Sequence, residues 1–191
     1  MENQERYLIL KAQSGEIGAF DELVRMHDRR IFQVVFGMLG NLHDTQDVYQ
    51  DTFLNAFSKI STFRFESEFS TWLTRIAVNS SINLRRKKKV RKWFALNTEN
   101  EDEAFGPIPE LPEEEGPEQQ MLSREFRQNI EKGLKHLSTQ QRTVFVLKHF
   151  QHYKIKEIAE ILNCAEGTIK NQLFRASQKL KNFLEPFYSE M

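Results

Sequence analysis

The residues best equipped for chemistry lie between Lys154 and Phe183. Asn171, Arg175, Gln178 and Asn182 recur along one side of a helical repeat, with Lys170 and Phe174 beside them. Amides and guanidinium groups suit base edges in a major groove, and Lys and Arg suit phosphates. The opposite side, Ile169, Leu173, Ala176, Leu180 and Leu184, is apolar. Upstream, Ile155, Ile158, Ala159 and Leu162 form the apolar face of a shorter helix, and Asn163 to Gly167 make the turn between the two. This is a helix-turn-helix pattern. A solvated face on a core helix is the plainer alternative. The short turn, Gly167 opening the second helix and the excess of bases along it favour DNA contact.

A second polar arc runs through Thr71, Arg75, Asn79, Asn83 and Arg86, behind a buried stripe of Phe69, Trp72, Leu73, Ile76 and Ala77. It leads into Arg85-Arg86-Lys87-Lys88-Lys89-Val90-Arg91-Lys92, seven bases in eight residues. Such a run is often a solvated tail. Continuous with an amide-rich face, it fits phosphate contact better. The preceding loop, 61–70, holds Phe63, Phe65 and Phe69. Folding back into the core is the commoner fate for such rings; one of them could instead line a pocket for an unstacked base.

A third arc joins Asp47, Gln50, Asp51 and Leu54, opposite the apolar stripe Tyr49, Phe53, Ala56, Phe57 and Ile60. Asp44 is the expected cap of that helix. On residue types alone, an ordinary solvated acidic face is favoured over a docking surface built around one exposed leucine.

Helices must position all three arcs. A helix over Arg6 to Ser14 precedes a long stripe through Phe20, Leu23, Val24, His27, Ile31, Val34, Val35 and Met38, ended by Gly37 and Gly40-Asn41. Residues 94–119 lose the periodicity and carry Pro107, Pro109, Pro112 and Pro117, the pattern of a flexible linker. Helix resumes from Met121 to Leu137; Ser138 and Gln141 fit a capping box, and the following helix runs to about His149.

The zero net charge of the 191 residues conceals three blocks. Residues 1–92 hold 15 Lys/Arg and 11 Asp/Glu, a net of +4. Residues 93–123 hold 9 Asp/Glu and no base; residues 124–191 hold 12 Lys/Arg and 7 Asp/Glu, a net of +5. Two mildly basic parts thus flank an acidic tether. No stretch approaches the ~18 apolar residues of a membrane span, and Met1 to Arg6 lack a signal-peptide pattern. Cys164, the single cysteine, reads as a small residue of the turn, with a redox role the lesser alternative. The expectation is an all-α, cytoplasmic protein without cofactor or metal. Neither a Ser/His/Asp set nor a phosphate-cradling glycine loop is present, so no catalytic residues are expected.

The chain resembles bacterial RNA polymerase sigma factors of the extracytoplasmic-function (ECF) type. The resemblance rests on Ala19-Phe20, on Asp47-Val48-Tyr49-Gln50-Asp51-Thr52-Phe53, and on Phe69-Ser70-Thr71-Trp72-Leu73-Thr74-Arg75-Ile76-Ala77-Val78-Asn79. In the second half it rests on Leu137-Ser138-Thr139-Gln140-Gln141-Arg142, Glu157-Ile158-Ala159 and Gly167-Thr168-Ile169-Lys170. It implies a sigma domain 2 over residues 1–93, an acidic linker over 94–119 and a sigma domain 4 over 120–191.

The resemblance also implies roles. Asp47, Gln50, Asp51 and Leu54 would dock on core RNA polymerase, reversing the plainer reading of that face. Phe63, Thr71, Arg75, Asn79, Asn83 and Arg86 would open and read the minus-ten element, with Phe63 and its loop neighbours holding a flipped base. Lys170, Asn171, Phe174 and Arg175, with Lys148, Lys156 and Gly167, would read the minus-thirty-five element as duplex. An anti-sigma factor is the further expected partner, beside core polymerase and promoter DNA. Departures from the family pattern are Val48-Tyr49 before Gln50, Asn83 where many relatives carry Asp, and Lys170-Asn171-Gln172. The last two bear on promoter preference. A dimeric helix-turn-helix regulator explains the second half alone, and a structured-RNA binder explains only the basic run; an enzyme is the least supported class.

Overall fold

The computed structural model describes residues 2–94 and 129–188. The chain divides into two compact units, Met1–Thr98 and Glu99–Met191. The described residues contain helices, turns and no strand, as an all-α chain requires. The acidic segment expected over 94–119 lies, beyond Phe94, outside the described residues, as does the first part of the helix expected from Met121.

The first unit is built from α1 (Glu2–Gln13), α2 (Ile17–Leu39), α3 (Leu42–Lys59) and α4 (Phe69–Phe94), with a single 3-10 turn at Ile60–Thr62. Helix α1 begins earlier than the apolar pattern suggested. Gly15 (φ 95°) turns the chain into α2. Gly40 (φ 82°) ends α2, its N–H donating to the Phe36 carbonyl at 2.8 Å. Both need the left-handed region that glycine enters without a Cβ clash.

Asn41, not Asp44, caps α3: the Asn41 side chain accepts from the Asp44 backbone N–H at 2.8 Å. Asp44 stands in the first helical turn and is buried. Either residue type can cap; the turn at Gly40 sets where the helix begins, and that decides between them.

The core gathers Leu8, Ile9 and Ala12 of α1, Phe20, Leu23, Ile31 and Val35 of α2, Val48, Phe53 and Ala56 of α3, and Phe69, Leu73 and Ala77 of α4. Each large apolar side chain so removed from water contributes about 1.5–3 kcal/mol. Helix α4 packs on both α2 and α3. His27, buried on α2, places Nε2 2.7 Å from Glu5 Oε1 and its ring 5.4 Å from that of Phe69.

The second unit comprises α5 (described over 129–135), α6 (Thr139–Phe145), α7 (Ile155–Leu162) and α8 (Glu166–Tyr188). The expected capping box is present: Ser138 Oγ accepts from the Gln141 N–H at 3.2 Å and Gln141 Oε1 accepts from the Ser138 N–H at 3.1 Å. The helix expected to reach His149 instead widens into a π turn at Val146–Phe150, with Gln151 N–H donating to the Val146 carbonyl at 3.2 Å. Leu134, Leu137, Ala176 and Leu180 form the apolar centre, with Ile130 and Phe145 against it. A Cβ on Gly133 would stand 2.7 Å from Leu180 Cδ2, so glycine lets α5 approach α8 closely.

Candidate polymerase and nucleic-acid interfaces

Helix α3 carries the acidic arc of Asp47, Gln50, Asp51 and Leu54. Val48, Thr52 and Ala56 are buried beneath it, and Thr52 Oγ1 donates back to the Val48 carbonyl at 2.6 Å. That fixes the opposite face outward. Asp47, Gln50, Asp51 and Leu54 are all exposed there, Leu54 at 61%. His43 Nδ1 lies 3.6 Å from Asp47 Oδ2, one turn away and in solvent. Beside this arc is a cleft of ≈ 810 Å³ between the start of α2 and α3, lined by Ile17, Phe20, Val24, Tyr49, Phe53, Leu54 and Phe57 among others. The sequence pattern assigned Tyr49 and Phe57 to the buried stripe. Phe57 is 42% exposed, because the α2–α3 pair leaves the cleft open instead of closing on it. Helical periodicity locates a face but not how far its neighbour reaches.

The second arc changes most between sequence and structure. Phe63 is 5% exposed. Its ring centroid lies 5.0 Å from Phe65, 5.5 Å from Phe69 and 5.3 Å from Trp72. Phe65 (φ 58°) is half-buried, with the Arg6 guanidinium 4.6 Å over its ring. Of the alternatives for this loop, folding into the core is realised. Phe63 is therefore not displayed to a base here, because its ring has an apolar partner on several sides. Thr71 is likewise buried, at 4%. Arg75 is half-buried. From the next turn the arc emerges: Asn79, Asn83 and Arg86 are exposed at i, i+4 and i+7, one continuous stripe. The Arg86 guanidinium stands 3.5 Å from Asn83 Oδ1.

The basic run is part of α4, not a tail. Lys87, Lys89 and Arg91 are exposed with Arg86. Arg85 and Lys88 turn inward: Arg85 Nη1 donates to the Met38 carbonyl at 3.2 Å, and Lys88 Nζ to Asp44 Oδ2 at 2.6 Å. Burial lowers the Arg85 guanidinium below its ordinary value. The signal for this was present in the sequence, since 77, 81, 85 and 88 continue the buried stripe; the block of like charge obscured it.

The arc with Lys170, Asn171, Phe174 and Arg175 stands on the helix-turn-helix. Glu157 Oε2 accepts from the Lys154 N–H at 2.6 Å at the start of α7. Asn163 adopts the left-handed conformation (φ 49°, ψ 54°) at its end, and Cys164 N–H donates to the Ala159 carbonyl at 3.0 Å. Helix α8 begins at Glu166, one residue before the expected Gly167. Ile158, Ile161 and Ile169 are buried between the helices. Lys170, Asn171, Phe174 and Arg175 share the outer face, with Phe174 65% exposed. Gly167 is exposed with open space at its Cβ position. Lys156 is exposed; Lys148, in the π turn, is half-buried with Nζ 3.5 Å from the Tyr153 carbonyl. Cys164 is half-buried in the turn.

Among the described residues no group of three His, Cys, Asp or Glu could hold a metal ion, and no helix is long and apolar enough to cross a membrane.

Residues 23–91 match the family described as Sigma-70 region 2, and residues 127–180 match Sigma-70, region 4. The chain is 29% identical to the RNA polymerase sigma-H factor of Pseudomonas aeruginosa, over 99% of this chain and 98% of the relative. A solved structure of the sigma factor RpoE with the anti-sigma factor NepR from Bartonella quintana shares the fold, with TM-score 0.69 at 23% identity over 87% of this chain and 96% of that one. The ECF RNA polymerase sigma factor SigW of Bacillus subtilis is 32% identical, over 96% of this chain and 98% of the relative. With both sigma regions in order and such relatives matched over nearly their whole length, the chain belongs to the ECF RNA polymerase sigma factors, the subunits that direct core polymerase to specific promoters and promote DNA opening.

Proposed function

We propose that this sigma factor divides its work among the three arcs. Residues 1–93 act as domain 2, with Asp47, Gln50, Asp51 and Leu54 docking on core polymerase. Asn79, Asn83 and Arg86, with Arg75 at the edge, engage the minus-ten element. Residues 120–191 act as domain 4. There Lys170, Asn171, Phe174 and Arg175 enter the duplex groove at the minus-thirty-five element, while Lys156, Gly167 and Lys148 lie toward the backbone. The tether 94–119 joins them. Sigma factors are specificity subunits, and this one contributes no catalytic residue of its own.

The observation that carries this reading is the exposed Asn79–Asn83–Arg86 stripe on a basic helix in the same unit as the α3 face. Attraction to phosphate is sequence-blind and salt-dependent. Amides on that stripe add base discrimination. Each captured base is withdrawn from the paired population, so strand capture offsets an unstacking cost of a few kcal/mol. Phe63 and Thr71 support this surface from beneath; a role for the Phe63 ring in holding a base would require it to leave its aromatic cluster.

An anti-sigma factor is proposed as a further partner, supported by the likeness to the RpoE fold seen with NepR.

Core RNA polymerase mixed with the purified protein, followed by size exclusion and promoter-dependent initiation on genomic fragments, tests the assignment. Co-elution with new, specific start sites is expected. Failure to bind core, together with dimeric binding to duplex DNA, would overturn it in favour of a regulator.

A further inference from the structure

We propose that Asp44 is a positioning residue for DNA binding: held by Asn41, it latches Lys88, while the end of α2 latches Arg85, so that only the outward bases of α4 meet phosphate. The proposal rests on the reading of α4 as a DNA surface and adds which of its charges do the contacting and what aims them.

The inner stripe of α4 runs through Leu73, Ala77 and Ser81, each almost fully buried, and then through Arg85 and Lys88. Ser81 Oγ donates back to the Ala77 carbonyl at 2.9 Å, so no polar partner beyond the helix is needed there. One turn later the stripe passes the corner between α2 and α3. Met38 lies in the last turn of α2, where carbonyls lack intrahelical donors and the helix dipole is negative. Arg85 supplies the donor, at 3.2 Å. Asp44 Oδ2 accepts from Lys88 Nζ at 2.6 Å and from Asn41 Nδ2 at 2.7 Å. Asn41 Oδ1 in turn accepts the Asp44 N–H at 2.8 Å. The carboxylate is thereby fixed to the start of α3 before Lys88 reaches it.

Two consequences follow from the arrangement. Seven bases in eight residues repel one another along a helix; an acid beneath the run lets it stay helical. Helical geometry then directs Arg86, Lys87, Lys89 and Arg91 outward. The same α3 that carries the latch carries Asp47, Gln50 and Asp51 from the next turn onward, so the polymerase-docking face and the DNA face share one rigid reference. The Lys88 side chain is 39% exposed against 12% for Asp44, so the lysine is open to solvent while its partner is largely covered.

The test is promoter binding by the reconstituted holoenzyme over a series of salt concentrations. Each phosphate contact contributes about 0.7–0.9 to the slope of log affinity against log salt. Lys87→Gln and Lys89→Gln are expected to lower that slope by about this amount each. Lys88→Gln is expected to leave the slope unchanged while reducing strand opening at least threefold, and Lys88→Arg to retain opening. The charge swap Asp44→Lys with Lys88→Asp is expected to recover opening lost in Asp44→Lys alone. A slope reduction in Lys88→Gln equal to that in Lys87→Gln would overturn the latch while leaving α4 as a DNA surface. A folded swap variant that recovers nothing would also overturn it. Unchanged slopes in every variant would instead remove the reading of α4 as a DNA surface, and the proposal with it.

Discussion

The side-chain amide of Gln13, in the last turn of α1, donates to the Phe63 carbonyl at 2.8 Å and to the Ile60 carbonyl at 3.0 Å. One side chain thus ties α1 to the loop that leads into α4, across 50 residues of sequence. The two carbonyls follow the end of α3; that of Ile60 also accepts the Phe63 N–H at 3.0 Å.

Replacing Gln13 by Ala leaves both carbonyls without that donor. The expected loss is about 1–2 kcal/mol of stability, since the site is part-buried and water reaches some of it. Urea denaturation measures the loss. Hydrogen exchange should show faster opening over 60–68 than over α2, and uniform protection would count against the tie.

Phe63 and Asn79 should separate cleanly. Phe63→Ala removes a ring from the aromatic cluster and is expected to cost about 3–5 kcal/mol, visible in thermal unfolding without any DNA present. Asn79→Ala touches an exposed position and should change stability by less than about 0.5 kcal/mol. Its effect should appear in promoter opening, followed by permanganate reactivity, more than in duplex binding. Equal loss of both activities would refute strand readout by Asn79.

Asp51→Arg places a base in the centre of the α3 arc, where Asp47, Gln50 and Leu54 surround it in solvent. Helical content and unfolding midpoint should be retained, while co-elution with core polymerase is lost. Unchanged affinity for core would exclude this face from docking.

The second unit should be sensitive to acid through His149. Its ring lies 4.5 Å from that of Phe145. The residue is exposed overall, but partial desolvation of its ring, then the charges of Lys148 and His152, hold its pKa below the ordinary 6.5. The unfolded chain therefore binds the proton more readily than the folded one. Stability is fully present above 6.5 and declines as pH falls through the lowered folded value. Thermal unfolding from about pH 8 to about pH 5 should show a smaller decline in His149→Gln than in the parent chain. Parallel profiles would show that His149 does not contribute.

The outward faces were legible because they depend on local geometry. Val48, Thr52 and Ala56 recur at four-residue spacing, so Asp47, Gln50, Asp51 and Leu54 had to point the other way. The same holds for Lys170, Asn171, Phe174 and Arg175 against Ile169, Ala176 and Leu180. Gly40 and the Ser138–Gln141 box marked helix ends through backbone conformation and capping. These features are properties of a few neighbouring residues, and a single sequence contains them entirely.

What only the tertiary structure decided is which polar or aromatic groups are spent inside the fold. Thr71 lies on the polar arc of α4, yet it is buried in the folded unit. Phe63 sits in a polar loop, yet Phe69 and Trp72 enclose it. Lys88 belongs to a run of like charges, yet Asp44, distant in sequence, claims it. Periodicity gives the direction in which a side chain leaves its helix. Whether it meets water, an aromatic ring or a carboxylate depends on a partner brought there by the rest of the chain, and no local pattern specifies that partner.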